Sequence, residues 1–447
     1  MVEKTIKTSA KVGILGGGLA GVTLQHFLKL DSEILEKEDR PGGLCRSWTA
    51  EGVVADRGPH ILFSRDKDTL REMTELLGDN IERHFRRNSI LYSDRFVKYP
   101  FENDLYSLDP EDRYRCLKDF IFNPYSERKV NNLEDWALRM FGPYLARAYF
   151  LPYNEKIWKH RARELGTEWV ERIPQPSPEE LIKSAVGVPT EGYLHQLYFY
   201  HPRQGGIEAL VKALMGDTAR VRTNSAVTGL QREDGIWRVS TESGDYRYEH
   251  VVGCLPIREL IKVIDPPPPP PVRQVAESLK INGLILILMI YPSSEPCERL
   301  AVYIPDKEVW PHRISWVNYL GSHLVPAGYQ AVLAEITTNQ DHFCSRMSDD
   351  EVARETVKQL KKIKLLPESD SIEAYVHRED YGYVVNTRGY SAAQKTLRDY
   401  CRGLGIPLLG RWAEHEYLNI DAVWVRAKRL ATELAGRWGK NNENGER

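Results

Sequence analysis

A short β-branched and leucine run, Val12–Leu15, ends directly in Gly16-Gly17-Gly18-Leu19-Ala20-Gly21. After it Val22, Leu24, Phe27 and Leu28 recur at helical spacing, and a second strand-like run, Ser32–Leu35, ends at Glu36. Strand, glycine turn, helix, strand and acid in this order form the full fingerprint of a dinucleotide-binding βαβ unit, where a lone G-x-G-x-x-G would be a weak signal. Gly16 permits the tight turn, Gly18 lets the backbone approach a diphosphate, and Gly21 allows close packing of helix on strand. The helix N-terminus then offers free N–H groups and a partial positive charge to that diphosphate. Glu36 is placed to accept hydrogen bonds from a ribose.

The rest of the chain bounds what such a unit can belong to. At 447 residues it exceeds one hydrophobic core and divides into more than one domain. A formal net charge of −2 gives no global field for nucleic acid or a membrane surface, so neither is expected as a partner. The basic cluster Arg83, His84, Arg86 and Arg87 reads as a solvated helix or loop face. The cysteines at 45, 116, 254, 297, 344 and 401 show no C-x-x-C spacing, so no metal site or dithiol pair is expected, and they fit a reducing cytoplasm. No secretory pattern is expected at the N-terminus. The most apolar stretch, 284–290, is far shorter than the roughly 20 residues of a spanning helix and predicts a buried strand in a soluble protein.

Periodicity organises the remainder. Helical spacing occurs over 110–122, 133–149 and 178–186, where aromatic residues are dense. Strands are expected at 219–222, 236–241 and 251–255, the last rejoining the nucleotide unit. The six prolines 266–271 read as a stiff polyproline II spacer. Beyond it strands are expected at 283–291, 300–304, 313–319 and 330–337, with a helix at 349–360. A strand at 408–411 and a helix at 421–437 close the chain before a polar, disordered tail. The fold class is therefore α/β. Residues 1–90, 205–265 and 395–439 are expected to form a Rossmann-type dinucleotide-binding domain, 91–204 a mostly helical insertion, and 266–394 an antiparallel-sheet substrate domain, with 440–447 as the tail.

The assignment of FAD rests on resemblance. The segment from Glu36 to Gly43, with the pair Gly42-Gly43, resembles the glycine-pair segment of FAD-dependent amine oxidases and their relatives, which lies along the cofactor's pyrophosphate. Gly410-Arg411 and the later Asp421 resemble a second cofactor-binding element of that superfamily. Only one dinucleotide fingerprint is present, so a built-in NAD(P)H site of Rossmann type is not expected.

From about 12 to 434 the chain is similar to the UDP-galactopyranose mutase family. Asp56-Arg57-Gly58-Pro59-His60 resembles the segment that sets a histidine beside the flavin, with Pro59 in place of a small residue. Tyr99-Pro100-Phe101-Glu102-Asn103 resembles an element that contacts uridine, with Glu102 replacing glutamine. A carboxylate only accepts hydrogen bonds, whereas an amide also donates. Pro152-Tyr153-Asn154-Glu155-Lys156-Ile157-Trp158 matches a further family element, and Arg172 falls on the first of two mutase arginines. Tyr303 and Arg313 match a tyrosine and the second arginine, Ala301 stands where many relatives carry tryptophan, and Tyr383 and Tyr417 match diphosphate-binding tyrosines.

The resemblance implies a cytoplasmic isomerase that interconverts pyranose and furanose forms of a nucleotide sugar. Reduced FAD would attack the anomeric carbon through N5, and NAD(P)H would be the external reductant. Arg172, Arg313 and His60 would be catalytic; Tyr99, Glu102, Asn103, Trp158, Tyr303, Tyr383 and Tyr417 would bind substrate with the two arginines. An FAD-dependent oxidase or desaturase of the same superfamily is the alternative, and oligomeric state stays open.

Overall fold

A computed structural model describes residues 6–7, 10–170, 173, 176–191 and 197–439. The expected tail, 440–447, and Arg172 lie outside the described residues.

The fingerprint builds a four-stranded parallel sheet in the order Val221–Arg222, Ser32–Leu35, Val12–Leu15, His250–Gly253. The two central strands are buried on both faces, as a parallel sheet covered by helices requires. Helix Leu19–Phe27 packs on the C-terminal helix Ile420–Trp438, and their apolar faces share one core with Ile14, Ile34, Leu210 and Leu214. A five-stranded sheet alongside carries the meander Val227–Glu233, Ile236–Thr241 and Gly244–Tyr248.

The expected substrate sheet is a seven-stranded one. Its order is Glu373–Val385, Lys280–Pro292, Tyr329–Thr338, Arg313–Trp316, Ala301–Tyr303, Asn88–Tyr92, Arg95–Lys98. All neighbours are antiparallel except Ala301–Tyr303 beside Asn88–Tyr92. The apolar stretch 284–290 is the second strand from the edge. Ile285, Ile287 and Met289 face a core closed by helix Asp349–Lys362, while Leu284, Leu286, Leu288 and Ile290 face Phe199 and Leu320.

Four details depart from the sequence expectations. The proline run is not a spacer throughout, because helix Pro270–Ser278 starts inside it. A proline's fixed φ suits the first helical turn, where its missing N–H is no loss. Residues 408–411 do not form a strand; Leu408 makes a single bridge to Gly253 before Gly410 turns at φ +104°. The basic cluster is not a helix or free loop: Glu82–Phe85 is a strand paired with Tyr198–His201. Edge strand Glu373–Val385 was not anticipated, since most of its residues are only partly buried and give little apolar signal.

The helical segment contains Pro110–Ile121, Leu133–Leu145, Leu151–Trp158 and Pro178–Ala185 around Phe101, Trp136, Phe141 and Phe150. The motif over 152–158 divides its labour by helical spacing. Asn154 accepts from Trp158 Nε1 at 3.1 Å and fixes that ring. Lys156 points elsewhere and is buried, its Nζ donating to the carbonyls of Ile304, Asp306 and Pro311 at 2.7, 2.6 and 2.8 Å. This lysine staples the helices to the loop that leads into Arg313. No helix among the described residues is long and apolar enough to cross a membrane. Lys156→Met strips three carbonyls of their donor, two of them in buried bonds, a loss of about 3 kcal/mol. It is expected to lower the thermal midpoint by about 5 °C in a circular-dichroism melt; an unchanged midpoint would show that the staple carries no stability.

Candidate active site

The three parts meet around a cavity of ≈ 490 Å³. One end is backbone-rich, lined by Gly18, Gly42, Gly43, His60, Gly410 and Asn419. The other is aromatic and polar, lined by Tyr99, Glu102, Trp158, Tyr303, Arg313, Tyr383 and Tyr417.

At the first end the three fingerprint glycines have separable reasons. A Cβ on Gly16 would lie 2.8 Å from Leu255 N, and one on Gly21 would lie 2.1 Å from Gly16 O, so protein packing forbids both. A Cβ on Gly18 would meet no protein atom within 4 Å, and Gly18 has an ordinary φ of −64°. Only a group in the cavity gives that glycine a purpose. The glycine pair lies against it: Gly42 N donates to Gly17 O at 2.7 Å, and a Cβ on Gly43 would approach Gly18 Cα to 3.2 Å. Glu36 is buried and braces the turn from behind, accepting from Gly17 N at 2.7 Å and Glu38 N at 2.9 Å.

Two helices open on this end. Gly18 caps Leu19–Phe27 and Asn419 caps Ile420–Trp438, and both caps line the cavity. Their partial positive charges favour an anionic or electron-rich group between them. Gly410 packs so tightly that an added Cβ would lie 2.5 Å from Ala20 Cβ. Arg411 donates twice to Leu418 O, at 3.0 and 2.7 Å, and its guanidinium stands 4.6 Å from the Tyr417 ring centre. Asp421 sits in the first turn of the last helix and off the cavity lining.

His60 Nδ1 lies 2.7 Å from Gly58 O, a contact that places the ring proton on Nδ1 and leaves Nε2 an acceptor. Burial lowers its pKa to about 4 against the pull of Asp56, with Arg411 and Arg313 adding to the fall. His60 is therefore neutral at pH 7.

The second end is set out by sheet register. Tyr303, Arg313 and Glu335 are direct cross-strand partners. Arg313 donates from Nε and Nη2 to the two Glu335 oxygens at 2.5 and 2.7 Å, with Glu335 almost fully buried. Tyr303 stacks on Tyr99 at 4.6 Å, and its hydroxyl lies 3.4 Å from both Arg86 Nη2 and Asn88 Nδ2. Burial works to raise this phenol, but the guanidiniums of Arg86 and Arg313 outweigh it and hold the pKa below its ordinary value. Tyr383 and Tyr417 lie near-parallel at 6.1 Å, with Trp158 edge-on to both. Burial lifts the Glu102 carboxyl to about 7, and Glu180 pushes it the same way. Asn103 is buried behind this wall and off the lining.

Among the arginines and carboxylates of the lining, three were not anticipated as site residues: Glu335, Arg86 and Arg57. Arg57 pairs with Glu379 at 2.8 Å and ties the glycine-rich end to the edge strand. Glu335 had a signal, a single acid within the apolar run 331–336.

The profile of the flavin-containing amine oxidoreductases matches residues 19–400. The chain belongs to that family. The flavoprotein fold extends over solved structures: a reduced UDP-galactopyranose mutase superposes with a TM-score of 0.85 at 19% identity, covering 96% of this chain and 94% of the other. A provisionally assigned protoporphyrinogen oxidase from Exiguobacterium sp. 255-15 gives 0.75 at 17%, covering 96% and 99%. A putrescine oxidase bound to putrescine gives 0.67 at 14%, covering 97% and 100%. At these identities the likeness establishes the fold alone.

The glycine-rich end of this flavoprotein fits FAD. Gly18, Gly42, Gly43 and the N-terminus of helix Leu19–Phe27 would border its diphosphate, and the N-terminus of helix Ile420–Trp438 with His60 would border its ring. Gly18→Val has room to fold yet projects into the cavity, so it is expected to yield folded, colourless protein. A visible spectrum of the purified variant checks this, and wild-type flavin absorbance would remove Gly18 from the cofactor site.

Proposed function

We propose that this flavoprotein is a nucleotide-sugar mutase that interconverts pyranose and furanose rings. The observation that carries the reading is Arg313, a guanidinium fixed on the wall of the cavity that the flavin would share. Five N–H groups are available to an arginine, and Glu335 takes two in a fork geometry. The remainder of Arg313, with the hydroxyls of Tyr303, Tyr383 and Tyr417, would hold a departing diphosphate beside the reacting sugar. Arg172 would complete the grip from the helical segment. Bound reduced FAD would supply a nucleophilic nitrogen and an electron pair without net redox change, and NAD(P)H is the proposed source of the reduced form. The chain's own part is orientation: His60 stays neutral and accepts through Nε2, and Trp158 and Tyr383 wall the sugar.

Glu102 supports a nucleobase at the far end. Below about 7 its carboxyl is protonated and both donates and accepts, as an amide does. Once ionised it only accepts and is buried without a compensating cation among the groups acting on it.

An oxidase reading has one observation in its favour. Glu335 offsets the charge of Arg313, and the carboxylate lines the cavity, where an amine could approach it.

The deciding experiment incubates dithionite-reduced protein with a panel of nucleotide hexoses and separates products by chromatography. A ring-size isomer is expected; oxygen consumption with an amine and no isomer favours the oxidase. Affinity for UDP is also expected to fall about tenfold from pH 6 to pH 8, as the protonated Glu102 is lost, and to stay flat over that range in Glu102→Gln. Titration calorimetry at the two pH values checks this, and parallel profiles would remove Glu102 from the ligand site.

A further inference from the structure

His60 rides on a short loop that leaves strand Val53–Asp56 and returns at Leu62, and Arg57, Gly58, Pro59, His60 and Ile61 all line the cavity. Both feet of this loop stand on one strand, Tyr198–His201. Leu62 exchanges two backbone hydrogen bonds of 2.8 Å with Tyr200, and the Asp56 carboxylate meets His201 Nε2 at 3.0 Å. Between the feet, Gly58 N donates to Asp56 O at 2.8 Å, and Gly58 O lies 2.7 Å from His60 Nδ1. Asp56 and His201 are themselves buried and off the cavity lining.

Proton counting assigns the charges at the first foot. Asp56 Oδ1 accepts from Ser47 Oγ at 2.7 Å and from Ile207 N at 2.8 Å, as an ionised carboxylate does. Burial works to raise its pKa, but the bond to His201 and the charge of that ring outweigh it and hold the pKa below its ordinary value. His201 Nδ1 faces Pro202 O at 2.9 Å, an oxygen that only accepts. Both ring nitrogens of His201 therefore carry protons, and the ring is an imidazolium. Glu82 is its cross-strand partner and is held by Ser322, and His84 feels the charge of His201.

We infer that His201 is a positioning residue: its buried positive charge holds Asp56, and through Asp56 fixes the His60 loop and keeps the His60 ring neutral, leaving Nε2 an acceptor. Alone, the Asp56 carboxylate would draw a proton to His60, because a nearby opposite charge favours the charged form. Paired with His201 it carries no net charge. Arg411 and Arg313, the second paired with Glu335, also act on His60 and push the same way as His201. Nothing in this depends on which reaction the flavin performs.

The test follows histidine ring nitrogens by nitrogen NMR in flavin-loaded protein from pH 8 to pH 5, with signals assigned by their loss in His60→Asn and His201→Gln. Wild type is expected to show His201 protonated on both nitrogens and His60 neutral throughout. His201→Gln keeps a donor toward Asp56 without the charge, so His60 is expected to take up its proton at least about one pH unit higher. Asp56→Asn combined with His201→Gln is expected to return His60 to the wild-type profile. A neutral His201 in wild type, an unshifted His60 in His201→Gln, or a shift that persists in the double variant overturns the inference. Should His201→Gln load no flavin, loading restored in the double variant supports it, and a double variant equally empty overturns it, since the pair would then act through shape alone.

Discussion

The ion pair between Arg313 and Glu335 governs what the central cavity can hold. Both charges are taken out of water, and such a pair persists only with good geometry and satisfied hydrogen bonds. Here the strands supply that geometry, since the two residues are opposite one another in the ladder Arg313–Trp316 with Tyr329–Thr338. The two-point grip of Glu335 fixes the direction of the guanidinium, and the carboxylate offsets its charge. An anion meeting it would gain from direction as much as from charge. Breaking the pair by removing either member would leave an uncompensated buried charge, at a cost of roughly 3–5 kcal/mol.

The rest of the molecule is arranged around that fixed point. Lys156 pins the loop before Arg313 to the helical segment, through three carbonyls. Arg57 and Glu379 join the glycine-rich end to the outer strand of the same sheet. Two helix N-termini line the same cavity as the sheet's charged row. A bound flavin and an oriented guanidinium would therefore share one cavity, which is the basis of the mutase proposal.

Local features of this arrangement were readable from sequence. The turn at Gly16, Gly18 and Gly21 was, because its requirements fall within a few residues and admit almost only glycine. The apolar stretch 284–290 was read as a buried strand, because both its faces are covered. What escaped depends on register between distant strands. Nothing near Glu335 in sequence says that it stands opposite Arg313. Arg86 was read as part of a solvated face because its neighbours are charged, yet pairing of Glu82–Phe85 with Tyr198–His201 delivers the next residue to the cavity. The prolines misled for a related reason: a proline run looks extended until a helix uses its last members as a first turn.

The central claim is that flavin and a nucleoside diphosphate occupy this one cavity with Arg313 between them. Titrating UDP into the flavin-loaded protein while following the flavin absorbance tests it directly. The account predicts a saturable spectral change in wild type and an affinity at least about tenfold weaker in Arg313→Ala with flavin content unchanged. A flavin spectrum indifferent to UDP, or equal affinities in the two proteins, would contradict it.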